Sequence, residues 1–395
     1  MSDVPGRYVE LGLRLGRHVD GLVDAYFGPA ELKQRVDAEE LRAPEDLAED
    51  AASLVDALER DGLEPQRGRW LGAQIVGLET VARRLAGEEI AFEDEVERCY
   101  GIRPERMPEE TFEAVHRELD DVLPGQGSLA ERYQAWREAD ALPADKLPGV
   151  FDSLVEELRG RTLALVRLPD GEAVDVDYVT DEPWAAFNYY QGELRSRIAV
   201  NTDVPMTPPF LTGLVAHETY PGHHTERSWK ELLLVRGRGQ VEETILMIGA
   251  PQSLVAEGIA TLAAEMALGD EEHEVTAAHL RGTGVPFDPE LARAVEKAAL
   301  PLQGVGTNVA LMLHADGASE QDAREYLLHW GLASERRAER ALRFMTDPVW
   351  RSYSTTYTDG YRVCRAFVDG DPARFKRLLT EQLTPADLRP RRRSS

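Results

Sequence analysis

The chain has 395 residues, with 45 basic against 71 acidic side chains (net charge −26), 43% hydrophobic and 29% charged residues. That balance belongs to a globular protein long enough to bury a large core, and it excludes a disordered or fibrous chain. The negative charge repels phosphate backbones and anionic lipid, so neither nucleic acid nor a membrane is expected as a partner.

Helical spacing dominates. The first amphipathic helix is predicted through Leu11, Leu13, Leu15, Val19, Leu22, Val23 and Tyr26, closed by Gly28-Pro29. Further helices are predicted over 51–63, 70–85 and 111–123. The pattern changes between 162 and 204, where TLALVRL, the turn Pro169-Asp170-Gly171 and AVDVDYV read as two short strands, and SRIAVN (196–201) as another. After Pro205–Pro209 the helical pattern resumes. The uncharged run 298–315 contains Pro301, Gly304, Gly306 and Asn308, which reads as a buried helix with a broken start rather than a membrane span. The expectation is a mainly α fold with a small β-sheet, organised as one compact unit. Residues 1–160 make its N-terminal helical part and 161–388 its catalytic part, with a frayed basic tail over 389–395 that reads RPRRRSS.

Cys99 and Cys364 are too few for a disulfide framework. The first twenty residues scatter charges and show no apolar core of a secretory signal, so a cytoplasmic location is expected. Oligomeric state leaves no mark in the sequence.

Three of the nine histidines fall within His217-Glu218-Thr219-Tyr220-Pro221-Gly222-His223-His224, at the end of the apolar run LTGLVA. Polar groups there are costly unless they are paired or bound to something. The nearest template is H-E-x-x-H, in which two histidines one turn apart hold zinc and the glutamate is the base. Pro221 occupies the i+4 position, so the template does not apply as written. On a regular helix His223 points away from His217, while His224 shares its face but lies about 10.5 Å along the axis. Pro221-Gly222 supplies a break that can widen the turn and return His223 toward His217. A third ligand is sought on another helix, and Glu257, the lone charge at the head of SLVAEGIATLAAE, is the candidate.

These residues resemble a known family. HETYPGHH followed some forty residues later by VAEGIATLAAE is similar to the HE-x-x-P-G-H-H and E-G-W-A-x-x-x-E signatures of bacterial domain-of-unknown-function family 885. That family looks like a distant relative of the gluzincin metallopeptidases, zinc hydrolases with helices around a deep cleft. The stretch Tyr353 to Gly360 and the closing FKRLLTEQLTPADL resemble its final segment, so the likeness spans about 188–388. Two positions depart from it: Ile259 stands for the family's tryptophan and Glu226 for its glutamine.

The resemblance implies one zinc ion per chain on His217, His223 and Glu257, with Glu218 as general base. His224 is the alternative ligand, or a donor that supports the ligands from behind or stabilises the transition state. The implied reaction is hydrolysis of amide bonds in small or extended peptides. Tyr357 is the first choice as donor to the developing oxyanion, ahead of Tyr353 and Tyr361. Strand 196–201 is expected to pair with extended substrate, Tyr190 and Asn201 to line the cleft, and Arg195, Arg197 or Arg362 to receive a substrate carboxylate. Two other readings use the same residues: a helical scaffold with a structural or vestigial metal, and a metal hydrolase of esters or non-peptide amides. Mixed His and Glu ligands favour zinc, with manganese and cobalt as alternatives.

Overall fold

A computed structural model describes residues 3–138, 141–182, 184–348 and 350–389, so the tail beyond Arg389 lies outside the described residues. The chain is mainly α with two small sheets. In chain order it begins with α1 (Val4–Leu15), β1 (Val23–Tyr26), α2 (Ala30–Ala38), α3 (Pro44–Leu58), α4 (Pro65–Leu85) and α5 (Phe92–Tyr100). Then come α6 (Glu109–Val122), α7 (Leu129–Glu138) and α8 (Leu147–Leu165), followed by β2 (Ala173–Val179), β3 (Ala186–Gly192) and β4 (Arg195–Asn201). The motif region holds α9 (Pro208–Glu218), α10 (His223–Lys230), β5 (Ile245–Met247) and α11 (Pro251–Leu268). The remainder is α12 (Glu272–His279), α13 (Pro289–Ala299), α14 (Gly304–His314), α15 (Glu320–His329), α16 (Glu335–Thr346), α17 (Thr356–Val368), α18 (Pro372–Thr380) and α19 (Pro385–Leu388).

Local chemistry explains many boundaries. Proline opens α3, α4, α9, α11, α13, α18 and α19, where its missing N–H and fixed φ suit the first turn. The Asp288 side chain accepts from the backbone of Glu290 and Leu291 at the start of α13, and Ser319 with Asp322 closes a capping box on α15.

Tyr8, Leu11, Leu15, Trp70, Leu71 and Ile75 pack with Ile245, Met247, Leu254 and Tyr353, so one core joins the first helices to the segments beyond 240. A second core, built on Phe151, Leu154, Ile198, Val200, Leu211, Val215 and Ala263, seats α9 and α11 against the sheet. No described helix is long and apolar enough to cross a membrane.

Three expectations about elements are corrected. The predicted first helix stops at Leu15, and Val23–Tyr26 is a strand paired antiparallel with β5, Val23 opposite Met247 and Tyr26 opposite Ile245. Its partner lies more than 200 residues away, which local spacing does not reveal. The run TLALVRL is no strand: its first four residues finish α8, whose Leu154, Leu158 and Thr162 continue one buried helical face. Strand 196–201 forms, as β4, but in the middle of the order β2-β4-β3, parallel to β2 and antiparallel to β3. Its backbone is therefore paired on both sides, and β2 and β3 are the edges. The buried helix with a broken start is α14, preceded by a 3-10 turn over Leu300–Gln303.

Helices α11 and α17 cross at glycine against glycine. A Cβ on Gly258 would stand 2.4 Å from the Gly360 carbonyl oxygen, and one on Gly360 would stand 2.4 Å from the Leu254 carbonyl oxygen. Both contacts are with backbone, which cannot step aside as a side chain can. Gly258→Ala should cost about 3 kcal/mol through overpacking, read as a lower denaturation midpoint with unchanged m-value. Full stability in that variant would show that the crossing is not tight.

Candidate metal centre

The eight-residue motif straddles two helices. Helix α9 ends on His217 and Glu218, the chain turns through a cis Tyr220–Pro221 bond, and α10 begins at His223. The turn closes tightly on itself, with Gly222 N–H donating to the Ala216 carbonyl at 3.1 Å. A Cβ at Gly222 would lie 2.0 Å from the His217 carbonyl oxygen, so only glycine fits. The widened turn sets the His217 and His223 rings 4.7 Å apart between centroids, at 88°.

From α11, Glu257 completes the group. Its Oε2 lies 3.5 Å from His217 Nε2 and its Oε1 3.7 Å from His223 Nε2. One donor atom from each of the three residues falls within 4.8 Å of the others. A tetrahedral shell with bonds of about 2.05 Å separates its ligand atoms by about 3.3 Å, so this spacing needs little adjustment to hold a divalent ion. Two further observations fit. Buried Oε2 of Glu257 closes no hydrogen bond, and burial lowers His217 to about 4 and His223 well below its ordinary range, which leaves both imidazoles neutral. Burial also raises Glu257 to about 7, against the Tyr353 hydrogen bond that pulls it down. Three buried donors aimed at one point are expensive alone and suited to a cation.

Around them stand residues whose roles here the sequence reading missed. The Tyr353 hydroxyl donates to Glu257 Oε1 at 2.7 Å and orients the carboxylate. Tyr353→Phe should weaken metal affinity about 10- to 100-fold, measured by titration against a competing chelator. An unchanged affinity would remove that orienting role. Asn188 of β3 donates from Nδ2 to the Glu218 carbonyl at 2.6 Å and so fixes the end of α9. Arg227 donates to Asp24 of β1 at 2.7 Å and to the Asn188 carbonyl at 3.3 Å, bringing a cation beside the cluster. Burial, with Glu257 next, raises Glu218 to about 8.

Tyr357 packs edge-on against Tyr353, centroids 5.6 Å apart, with 42% of its surface open. Burial, then Glu257 and Glu218, push its hydroxyl well above the usual range. With so much of the residue open, the two carboxylates are the firmer cause. Tyr361 instead donates to Glu265 at 2.9 Å.

Other expected site residues are engaged elsewhere. His224 is fully buried, with Nδ1 2.9 Å from Ser196 Oγ and Nε2 2.9 Å from Glu172 Oε2, so neither nitrogen is free for a ligand. Glu172 also accepts from Tyr220 and Arg159, which makes a structural network under the sheet. Tyr190 is buried and donates to Glu231, and buried Asn201 donates to the Glu182 and Trp184 carbonyls. Arg195, Arg197 and Arg362 are neutralised by Asp175, Asp177 and Asp359. None of the four expected substrate-binding side chains, Tyr190, Arg197, Asn201 and Arg362, joins the metal cluster.

One turn before His217, the Gly213 position faces the Glu272 carboxylate. Beyond it, burial and Glu272 raise Glu296 to about 8, while its Oε2 lies 3.5 Å from His273 Nε2. Between pH 4.5 and 8 the folded chain holds a proton that the unfolded chain releases, so this group lowers stability as pH rises through that window. A third of the side chain is exposed, so water screens the effect to about 1–2 kcal/mol. Glu296→Gln should therefore gain that much at pH 8 relative to pH 5, read from paired denaturation curves. An equal midpoint shift at both pH values would contradict it.

No family model matches the chain, and no curated protein matches it. Among solved structures, the chain is similar to a "putative lipoprotein" from Colwellia psychrerythraea, with 15% identity over 87% of this chain and 68% of that one, TM-score 0.53. A second "putative lipoprotein", from Shewanella oneidensis, aligns with 13% identity over 90% and 75% of the two chains, TM-score 0.49. An M32 carboxypeptidase from Deinococcus radiodurans aligns with 15% identity over 98% and 92%, TM-score 0.37. The first likeness is one of fold, and the other two are too weak to carry an argument. The first likeness corrects one expectation: with a similar fold described as a putative lipoprotein, the cytoplasmic location drawn from the N-terminal sequence does not stand.

Proposed function

We propose that the protein is a metal-dependent hydrolase of peptide amide bonds, related to the gluzincin metallopeptidases through family 885. The observation that carries the reading is the convergence of His217 Nε2, His223 Nε2 and the Glu257 carboxylate beside a second buried acid, Glu218, that pairs with none of them. A structural site needs ligands and no such acid.

His217, His223 and Glu257 would hold the ion, and zinc suits the donor set. Bound there, zinc would supply Lewis acidity and draw the pKa of a water molecule toward about 7. Beside the positive charge of such an ion Glu218 would be ionised, able to accept a proton from water on its carboxylate and hand it to the leaving nitrogen. Tyr357, 42% exposed and packed on Tyr353, would donate a hydrogen bond to the carbonyl oxygen as negative charge builds on it. Tyr353 keeps Glu257 in place, and Asn188 keeps the end of α9 rigid beneath Glu218. Extended substrate would run along β3, an edge of the sheet whose Asn188 already contacts α9, in place of the central strand 196–201.

The test is hydrolysis of a peptide library by zinc-loaded protein, beside a matched set of esters and non-peptide amides. Turnover of peptides that disappears on chelation and returns with zinc supports the reading. Turnover of esters alone would replace it with the ester hydrolase, and no turnover of any set would leave a helical protein with a structural metal.

A further inference from the structure

The three arginines that the sequence put forward for a substrate carboxylate are each neutralised by a nearby aspartate. Two others are not. Phe210, on the first turn of α9, is 40% exposed, and the Arg137 guanidinium carbon lies 4.6 Å from its ring centroid. Arg337, from α16, lies 5.7 Å from the same centroid. Among the described residues neither arginine forms an ion pair. Arg137 donates only to the Tyr133 hydroxyl, at 3.2 Å, and its buried Nε has no partner. Arg337 is held below its ordinary range by burial and by Arg137. Glu296 and Glu138 act on these guanidinium groups without closing an ion pair with them, so two like charges gathered on one exposed ring are suited to an anion. The ring holds both planar forks by cation–π contact, and planar forks match carboxylates.

Helix α9 links the site to the metal centre. Phe210 and His217 are seven residues apart on α9, which is 20° short of two full turns, so they share a face about 10.5 Å apart along the axis. An extended peptide covers that distance in about three residues.

We propose that Arg137, Phe210 and Arg337 form a carboxylate-binding subsite of the cleft, and that the substrates are short peptides carrying a carboxylate about three residues from the cleaved bond. The proposal rests on the hydrolase reading above. The carboxylate belongs to an acidic side chain or to the chain terminus, and the test tells these apart.

Zinc-loaded full-length protein is given Ala/Gly hexapeptides with one Glu or one Gln at each position in turn, each with a free or an amidated C-terminus. One Glu position should exceed its Gln counterpart about tenfold or more in kcat/KM, mainly through KM; a terminal carboxylate should instead be exposed by amidation. Arg137→Gln combined with Arg337→Gln should bring that ratio close to one, whereas Arg60→Ala should leave it unchanged. No preference in wild type, or a preference that survives in the double variant, overturns the subsite. If wild type cleaves none of the peptides, the hydrolase reading falls by itself. The same peptides are then titrated calorimetrically into zinc-loaded Glu218→Gln protein: a tenfold tighter carboxylate peptide that loses its advantage with both arginines replaced supports the subsite, and equal binding overturns it.

Discussion

Replacing Glu218 by glutamine should lower kcat by about 10²- to 10⁴-fold while leaving the metal content and KM nearly unchanged. The substitution keeps the shape of a side chain that is 7% exposed at the end of α9, and removes only its capacity to accept a proton. The main chain there is held by Asn188, and the ligand atoms come from other residues, so neither the fold nor the ion depends on the carboxylate. Turnover of the best library peptide and elemental mass spectrometry on one preparation decide it. Retained activity would strip Glu218 of its role, and loss of the ion would make it a ligand instead.

The second large effect concerns the ion. Saturating zinc at about a hundred times its dissociation constant should stabilise the wild type by about 2.7 kcal/mol, seen as a rise in Tm that a chelator reverses. His217→Ala, His223→Ala and Glu257→Ala should abolish that rise and bring bound zinc down from about one per chain. His224→Ala separates ligand from scaffold. It should keep the ion yet cost about 3 kcal/mol, because Glu172, whose side chain is fully buried, loses a partner. Zinc retained by all three ligand variants would refute the assignment.

The motif could be read because its chemistry is dense and local: three histidines and an acid around Pro221-Gly222 leave few arrangements, and the widened turn follows from those two residues. Glu257 could be found because a charge buried at the head of an apolar helix needs a reason. The rest was invisible for a physical cause. Asp24 sits in β1, a strand set by pairing with β5 rather than by its own alternation, so a helical reading absorbed it. Tyr190 and Asn201 looked like cleft residues on composition, but their burial depends on which strand is central, and pairing order leaves no trace in local sequence. Arg197 and Arg362 failed for the opposite reason, since each has an aspartate close by on the paired strand or the same helix. Arg137 and Arg337 had no signal at all, because being unpaired is a property of the assembled surface.

The hydrogen bond between Arg227 and Asp24 spans 203 residues of chain, and that between Tyr353 and Glu257 spans 96. Closing such loops comes late on any folding route, because the entropy of a long loop must be given up before its contacts return anything. In small zinc modules the ion drives an unfolded chain to fold. Here the order would be reversed: the groups around the ligands come together only when the first strand and the 3-10 turn carrying Tyr353 have both docked, so tight metal uptake would follow folding and mark its completion. On the proposed function, a nascent or damaged chain would then carry no reactive centre, and hydrolysis would begin only in a finished molecule.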